Sequence, residues 1–233
     1  MFAIATLLSL ALASSPMMAS GLMVKRSGCD ISNAKITGFP TSFAAPSLKP
    51  SFAAVAIGVQ NYTCGSTGTY TNVGAVAELF DISCLYGSSA FDTIQDAAID
   101  IWKIAPPIFP AQEVIAILHS TNTPAVLGQH YYVTNPLTGQ GVNPKWDFTS
   151  QGANAGNSNA FVVAAKVTGV SAPTGSQDID WVDLKALTGS LAQEVYRTDT
   201  REGQPPASCT PGSPMISVKY AAKYWLYGGS VKQ

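Results

Sequence analysis

Two histidines, His119 and His130, are the chain's whole supply of side chains that ordinarily change charge near neutral pH, so acid–base chemistry there would rest on them. His130 lies in Gly128-Gln129-His130-Tyr131-Tyr132, where an imidazole could carry a proton or contact a ligand. No acid or base adjoins it in sequence, and the simpler reading is a half-buried, hydrogen-bonded histidine on a strand. His119 falls at the end of a predicted helix and suits the helix terminus. Carboxylates supply the remaining candidates. Trp146 and Asp147, in Pro144-Lys145-Trp146-Asp147-Phe148, would suit a sugar-binding aromatic platform with an acceptor beside it, although strand aromatics are more often core. Asp178, Asp180 and Asp183 crowd around Trp181, and paired carboxylates are the machinery of glycoside hydrolysis. Asp178-Ile179-Asp180 reads more simply as a polar turn leading into a strand. The catalytic alternative is a hydrolase built on His130 and a carboxylate such as Asp147.

Other chemistries lack their motifs. The chain has no Gly-x-Ser-x-Gly elbow, no Walker-type phosphate loop and no His-Glu-x-x-His pair. Gly139-Gln140-Gly141 lacks the third glycine and opens no helix, so it fails the dinucleotide fingerprint. Cys29, Cys64, Cys84 and Cys209 show no Cys-x-x-Cys spacing, and two histidines are a poor ligand pool. No cofactor and no metal are expected. In an oxidising compartment four cysteines read as two disulfides, in any of three pairings.

The elements that must position these residues are mostly strands. A Pro-punctuated lead-in, Ser27 to Pro50, precedes a single β-rich domain over 51–233. Val55, Ile57 and Val59 alternate with Ala54, Ala56, Gly58 and Gln60, which predicts a half-buried strand. The turn at Cys64 to Gly68 leads to a second strand, Tyr70 to Asp81. Ser88 or Ser89 caps a predicted helix with Phe91, Ile94, Ala98, Ile101 and Trp102 on one face, ended by Pro106 and Pro107. A shorter helix follows from Pro110. Gly87 to Thr123 is thus a helical insertion between strands. Strand patterns resume at Val126 to Thr134, Lys145 to Thr149, Ala160 to Thr168, Trp181 to Leu187, Leu191 to Asp199 and Ile216 to Tyr227. In the last, Val218, Tyr220, Ala222, Tyr224 and Leu226 share one face, and Lys219, Lys223, Trp225 and Tyr227 share the other, as on a sheet solvated on one side. The expected fold is mainly β: an antiparallel β-sandwich or barrel of about eight strands.

The N-terminal apolar run, Phe2 to Ala13, is too short for the ~20 residues of a membrane-spanning helix and reads as a signal peptide. Lys25-Arg26 then marks a second cut, making 1–26 signal peptide and propeptide. The protein is expected to be secreted and extracellular, without a membrane span. Removing Lys25 and Arg26 takes the net charge from −1 to −3. A weakly acidic chain with scattered cations is not a partner for nucleic acid. Charged residues are 12%, about half the usual ~25%, so neutral polar groups cover much of the surface. Asn61-Tyr62-Thr63 is the N-glycosylation sequon. Counting by twos from Val55 places Asn61 on the apolar face, and a bulge at Gly58 would expose it.

Seven segments in order, Gln60 to Cys64, Ala77 to Asp81, Gly128 to Tyr131, Lys145 to Asp147, Trp181 to Leu184, Val195 to Thr200 and Tyr220 to Tyr227, resemble a secreted fungal and bacterial family, domain of unknown function 3455. The likeness spans roughly Phe52 to Gly228. Some fungal members carry a malate dehydrogenase label, and the dinucleotide fingerprint such an enzyme needs is missing here. Bacterial members resemble this chain at Cys64 and Cys209, which implies that pair and leaves Cys29 to Cys84. They also have a shorter link where Gly87 to Thr123 stands. The resemblance, with an uncommon mix of polar and aromatic groups, implies that any ligand site lies at His130 and Trp146, with Arg197 as a third member. Three functions follow: a non-catalytic cell-surface or matrix protein binding an extracellular glycan or protein, the hydrolase above, or a secreted factor acting on a host or competitor.

Overall fold

Eight strands, each antiparallel to the next, close on themselves in a barrel: β1 (Pro50–Cys64), β2 (Tyr70–Asp81), β3 (Val126–Thr134), β4 (Val142–Asp147), β5 (Phe161–Val170), β6 (Trp181–Gly189), β7 (Glu194–Glu202) and β8 (Ile216–Tyr227). This computed structural model describes residues 29–106, 110–120 and 125–231; the signal-like run and Lys25-Arg26 fall outside them. Closure comes from β8 pairing along β1, from Pro50↔Tyr227 to Tyr62↔Ile216, and it leaves no sheet edge to pair with another chain. An eight-stranded barrel has a lumen that side chains just fill, or that holds one small ligand.

Alternation sorts the strands into two cores. Phe52, Ala54 and Ala56 of β1 face the lumen with Leu79, Trp146, Phe148, Val162, Leu184, Tyr220 and Tyr224. The small residues of β1 leave room for Trp146 and the tyrosines opposite. Val55, Ile57 and Val59 face outward, yet they too are buried. The half-buried reading of β1 is therefore corrected: both faces are covered, one by the lumen and one by a helix.

That helix is α1 (Ser89–Ile104). Ser88 caps it, its side chain accepting from the Phe91 N–H, and Asp92 and Lys103 complement the dipole at its two ends. Phe91, Ile94, Gln95, Ala98, Ile99 and Trp102 form its buried face, with Ile99 more deeply placed than the expected Ile101. Trp102 Nε1 donates to the Gly58 carbonyl at 2.7 Å. Lys219 of β8 donates to the Trp102 and Ala105 carbonyls at 2.8 and 2.6 Å, closing the end of α1. The outward face of β8 is consequently not solvated; Lys223, Trp225 and Tyr227 are each at most 3% exposed. A second helix, α2 (Ala111–Ser120), also lies between β2 and β3. The side chain of His119 is outside what the structure describes, as are Pro107 and residues 121–124.

The lead-in packs on the outer wall through Ile31, Ala34, Ile36 and Phe43, and Phe39 meets Tyr196 edge-on at 5.4 Å. Disulfides join Cys29 to Cys84 and Cys64 to Cys209, the pairs implied by the resemblance. The second ties the β1–β2 turn to the link between β7 and β8, where the Cys209 N–H also bonds the Gly68 carbonyl.

Candidate functional site

His130 and Trp146 are cross-strand partners on β3 and β4. Their register depends on Gly128: a side chain there would overlap the Asp147 carbonyl, which stands 2.1 Å from the position a Cβ would take. With β3 and β4 drawn together, both rings point into the lumen. Arg197 reaches the same space from β7, beside Tyr224 of β8. The three residues named from sequence line one cavity of about 380 Å³. It opens at the barrel end that carries the β1–β2, β3–β4, β5–β6 and β7–β8 links. The other end is filled by Phe52, Phe148, Leu191 and Leu226.

The His130 ring stacks on Trp146, centroids 4.6 Å apart and planes inclined by 17°, with Tyr224 and Tyr132 against its other sides. Nδ1 is 3.0 Å from the Lys145 carbonyl. A carbonyl only accepts, so Nδ1 carries the proton and Nε2 is left as an acceptor. Burial lowers the imidazole pKa to about 3, the Lys145 carbonyl opposing weakly and the Arg197 charge reinforcing it. The ring is neutral at physiological pH.

Arg197 Nε and Nη2 both donate to the Asp180 carbonyl, at 3.0 and 2.9 Å. Burial works against its charge and the phenol oxygens of Tyr224, Tyr132 and Tyr220 around it favour it, so its pKa is raised. Burial also raises the phenols of Tyr62, Tyr132 and Tyr220, so they stay neutral. Gln60 Oε1 accepts from Asn72 Nδ2, and Asn72 Oδ1 accepts from the Gly74 N–H. That chain fixes the Gln60 amide, whose Nε2 is a buried donor without a partner.

Asp147 does not join this site. Adjacent strand residues project to opposite faces, so it emerges on the outer wall while Trp146 points inward. There Tyr131 and Lys145 each reach Oδ2 at 2.7 Å, and Thr149 Oγ1 reaches Oδ1 at 2.7 Å. Burial raises this carboxyl, but Lys145, Tyr131 and Thr149 together bring its pKa down to about 2. The pairing of His130 with Asp147, and the Trp146–Asp147 sugar platform, are both corrected by this parity. Asp178 is a fastener: it accepts from Thr174 Oγ1 and from the N–H of Glu202, a residue at φ +59°. Asp183 is buried on the outer wall with its pKa raised, first by burial and then by Glu194. Of the three aspartates only Asp180 borders the cavity. Asn61 is half-buried and accepts from Ser217 Oγ at 2.8 Å; the irregularity in β1 falls at Asn61/Tyr62, not at Gly58.

Sequence reading did not single out Tyr132, Tyr224, Gln60 or Asn72. Tyr132 was within reach of it, two residues from His130 and so on the same face, and Tyr224 lay on the inward face of the terminal strand. Among the described residues no cluster of three or more His, Cys, Asp or Glu could hold a metal ion. No described helix is long and apolar enough to cross a membrane.

No curated protein and no solved structure matches the chain significantly. A family model described as "Protein of unknown function (DUF3455)" matches residues 44–228, from the end of the lead-in through all eight strands. The chain belongs to the DUF3455 family.

Proposed function

We propose that this is a secreted, disulfide-stabilised binding protein that holds the end of an extracellular saccharide in the mouth of its barrel and does no chemistry on it. The observation that carries the reading is the convergence of His130, Trp146 and Arg197 on one lumen cavity, whose size falls in the range of small-molecule sites. The half-buried ring of Tyr132 beside neutral amides and phenols suits the C–H faces and hydroxyls of a sugar. Binding without catalysis is supported by His130, which spends its one proton on a backbone carbonyl, with no carboxylate accepting from it among the described residues. Secretion is supported by the signal-like run and by two disulfides, which persist in oxidising compartments. Glycan-array and cell-wall binding by the wild type, Trp146→Phe and Tyr132→Leu, each checked by thermal unfolding, tests the site. Folded variants should lose at least about tenfold in affinity, the scale of one lost good contact. Unchanged binding by folded variants would remove the cavity as the site.

A further inference from the structure

We infer that the cavity recognises a carboxylate, so that its saccharide is an acidic one bearing a uronic acid residue, with Arg197 as the group that reads the charge. This rests on the saccharide-binding reading above and names the class of ligand within it.

Of the other described cations, Lys103, Lys145, Arg201 and Lys223 each have a carboxylate within 4.0 Å, namely Glu202, Asp147, Asp96 and Asp199; Lys35, Lys49, Lys166 and Lys185 are exposed to solvent, and Lys219 is half-buried against two main-chain carbonyls. Arg197, inside the barrel, has no such carboxylate among the described residues. Its contact with Asp180 is to the main-chain carbonyl, which leaves the guanidinium charge uncompensated. An enclosed cation without a counter-charge is costly to a fold. A guanidinium also presents its donors in a planar fork that matches a carboxylate.

The surroundings agree in sign. Lys166 lies exposed at the rim of the same cavity with no ion pair among the described residues. Among the described residues Asp180 is the only acidic one lining the space, so the two cations outnumber it. An acid with a long apolar tail would set that tail against Gln60, Asn72 and Asn143, which favours a polyhydroxylated body over a hydrocarbon one.

Isothermal titration of the full secreted protein with D-galacturonate, its methyl ester, D-galactose and benzoate, at low and high salt, tests this. Galacturonate should bind about tenfold to a hundredfold tighter than its methyl ester or galactose, with the advantage shrinking in high salt. Arg197→Gln should remove the advantage of galacturonate over galactose, and Arg197→Lys should keep part of it, thermal unfolding confirming that both fold. The comparison of acid with ester in wild-type protein stands even if a variant fails to fold. Equal affinity for acid, ester and galactose would overturn the charge-reading role and leave the saccharide site intact. Benzoate binding more tightly than galacturonate would overturn the saccharide identity. Binding of none of the four would overturn both.

Discussion

His130 and Trp146 stack across β3 and β4 at 4.6 Å, and the same two strands carry Lys145 and Asp147 outward to clamp Tyr131 on the far side of the sheet. One ladder thereby builds a cavity wall on its inner face and a polar fastener on its outer face.

From the first half of that relationship, the His130 ring should not titrate between about pH 5 and 8, because its pKa is lowered to about 3. NMR of the imidazole carbons over that range should give flat shifts with the Nδ1–H tautomer. A titration midpoint near 6 to 7 would show the ring to be solvated.

From the second half comes the acid limb of stability. The Asp147 pKa is lowered from 3.8 to about 2, so its contribution is fully present above about pH 4 and is lost as pH falls through 2. That lowering corresponds to roughly 2–3 kcal/mol. Denaturant unfolding of Asp147→Asn should show that loss at pH 7, with the gap to wild type closing near pH 2.

Glu78 should act in the opposite direction. It is 1% exposed, set on the outer wall among Ile57, Phe80, Trp102, Ala111 and Ile115, and neither carboxyl oxygen is well hydrogen-bonded. Burial raises its pKa from 4.5 to about 8, eased slightly by Gln151. The folded state thus keeps a proton that the unfolded chain releases, and stability falls as pH rises from about 4.5 towards 8. Glu78→Gln should be more stable than wild type by on the order of 4 kcal/mol near pH 8 and nearly equal to it near pH 4. Parallel pH curves for the two proteins would refute this placement.

The Cys64–Cys209 bridge spans a sequence separation of 145. In the chain-entropy account, removing it should cost about 5 kcal/mol. Urea unfolding of the double Cys64→Ser, Cys209→Ser variant measures that cost, and a loss under about 1 kcal/mol would contradict it.

Local pattern carried much of this fold. The bounds of β2, β3 and β8 coincide with their alternating stretches, and Ser88, one of the two serines the pattern offered, caps α1. Closure was not legible, because the β1–β8 pairing joins segments more than 150 residues apart and no local pattern encodes it. The same ignorance hid which face was inward. Val55, Ile57 and Val59 are the more apolar face of β1, yet they lie outside under α1, while alanines face the lumen to make room for aromatics. Pro144 obscured the start of β4, since proline argues against a central strand; Val142 to Pro144 pair with β3 alone. The convergence of His130, Trp146 and Arg197 on one cavity needed three-dimensional closure, whereas the outward direction of Asp147 was available from its position next to Trp146.

The two disulfides overlap along the chain: one spans 29 to 84 and the other 64 to 209. A single proteolytic cut anywhere from Cys29 to Cys209 therefore yields two pieces that remain covalently joined. The links at the cavity mouth between β1 and β6, together with the β7–β8 link as far as Cys209, all lie inside that span. A protease can nick the rim of the barrel there once without releasing any strand from the molecule.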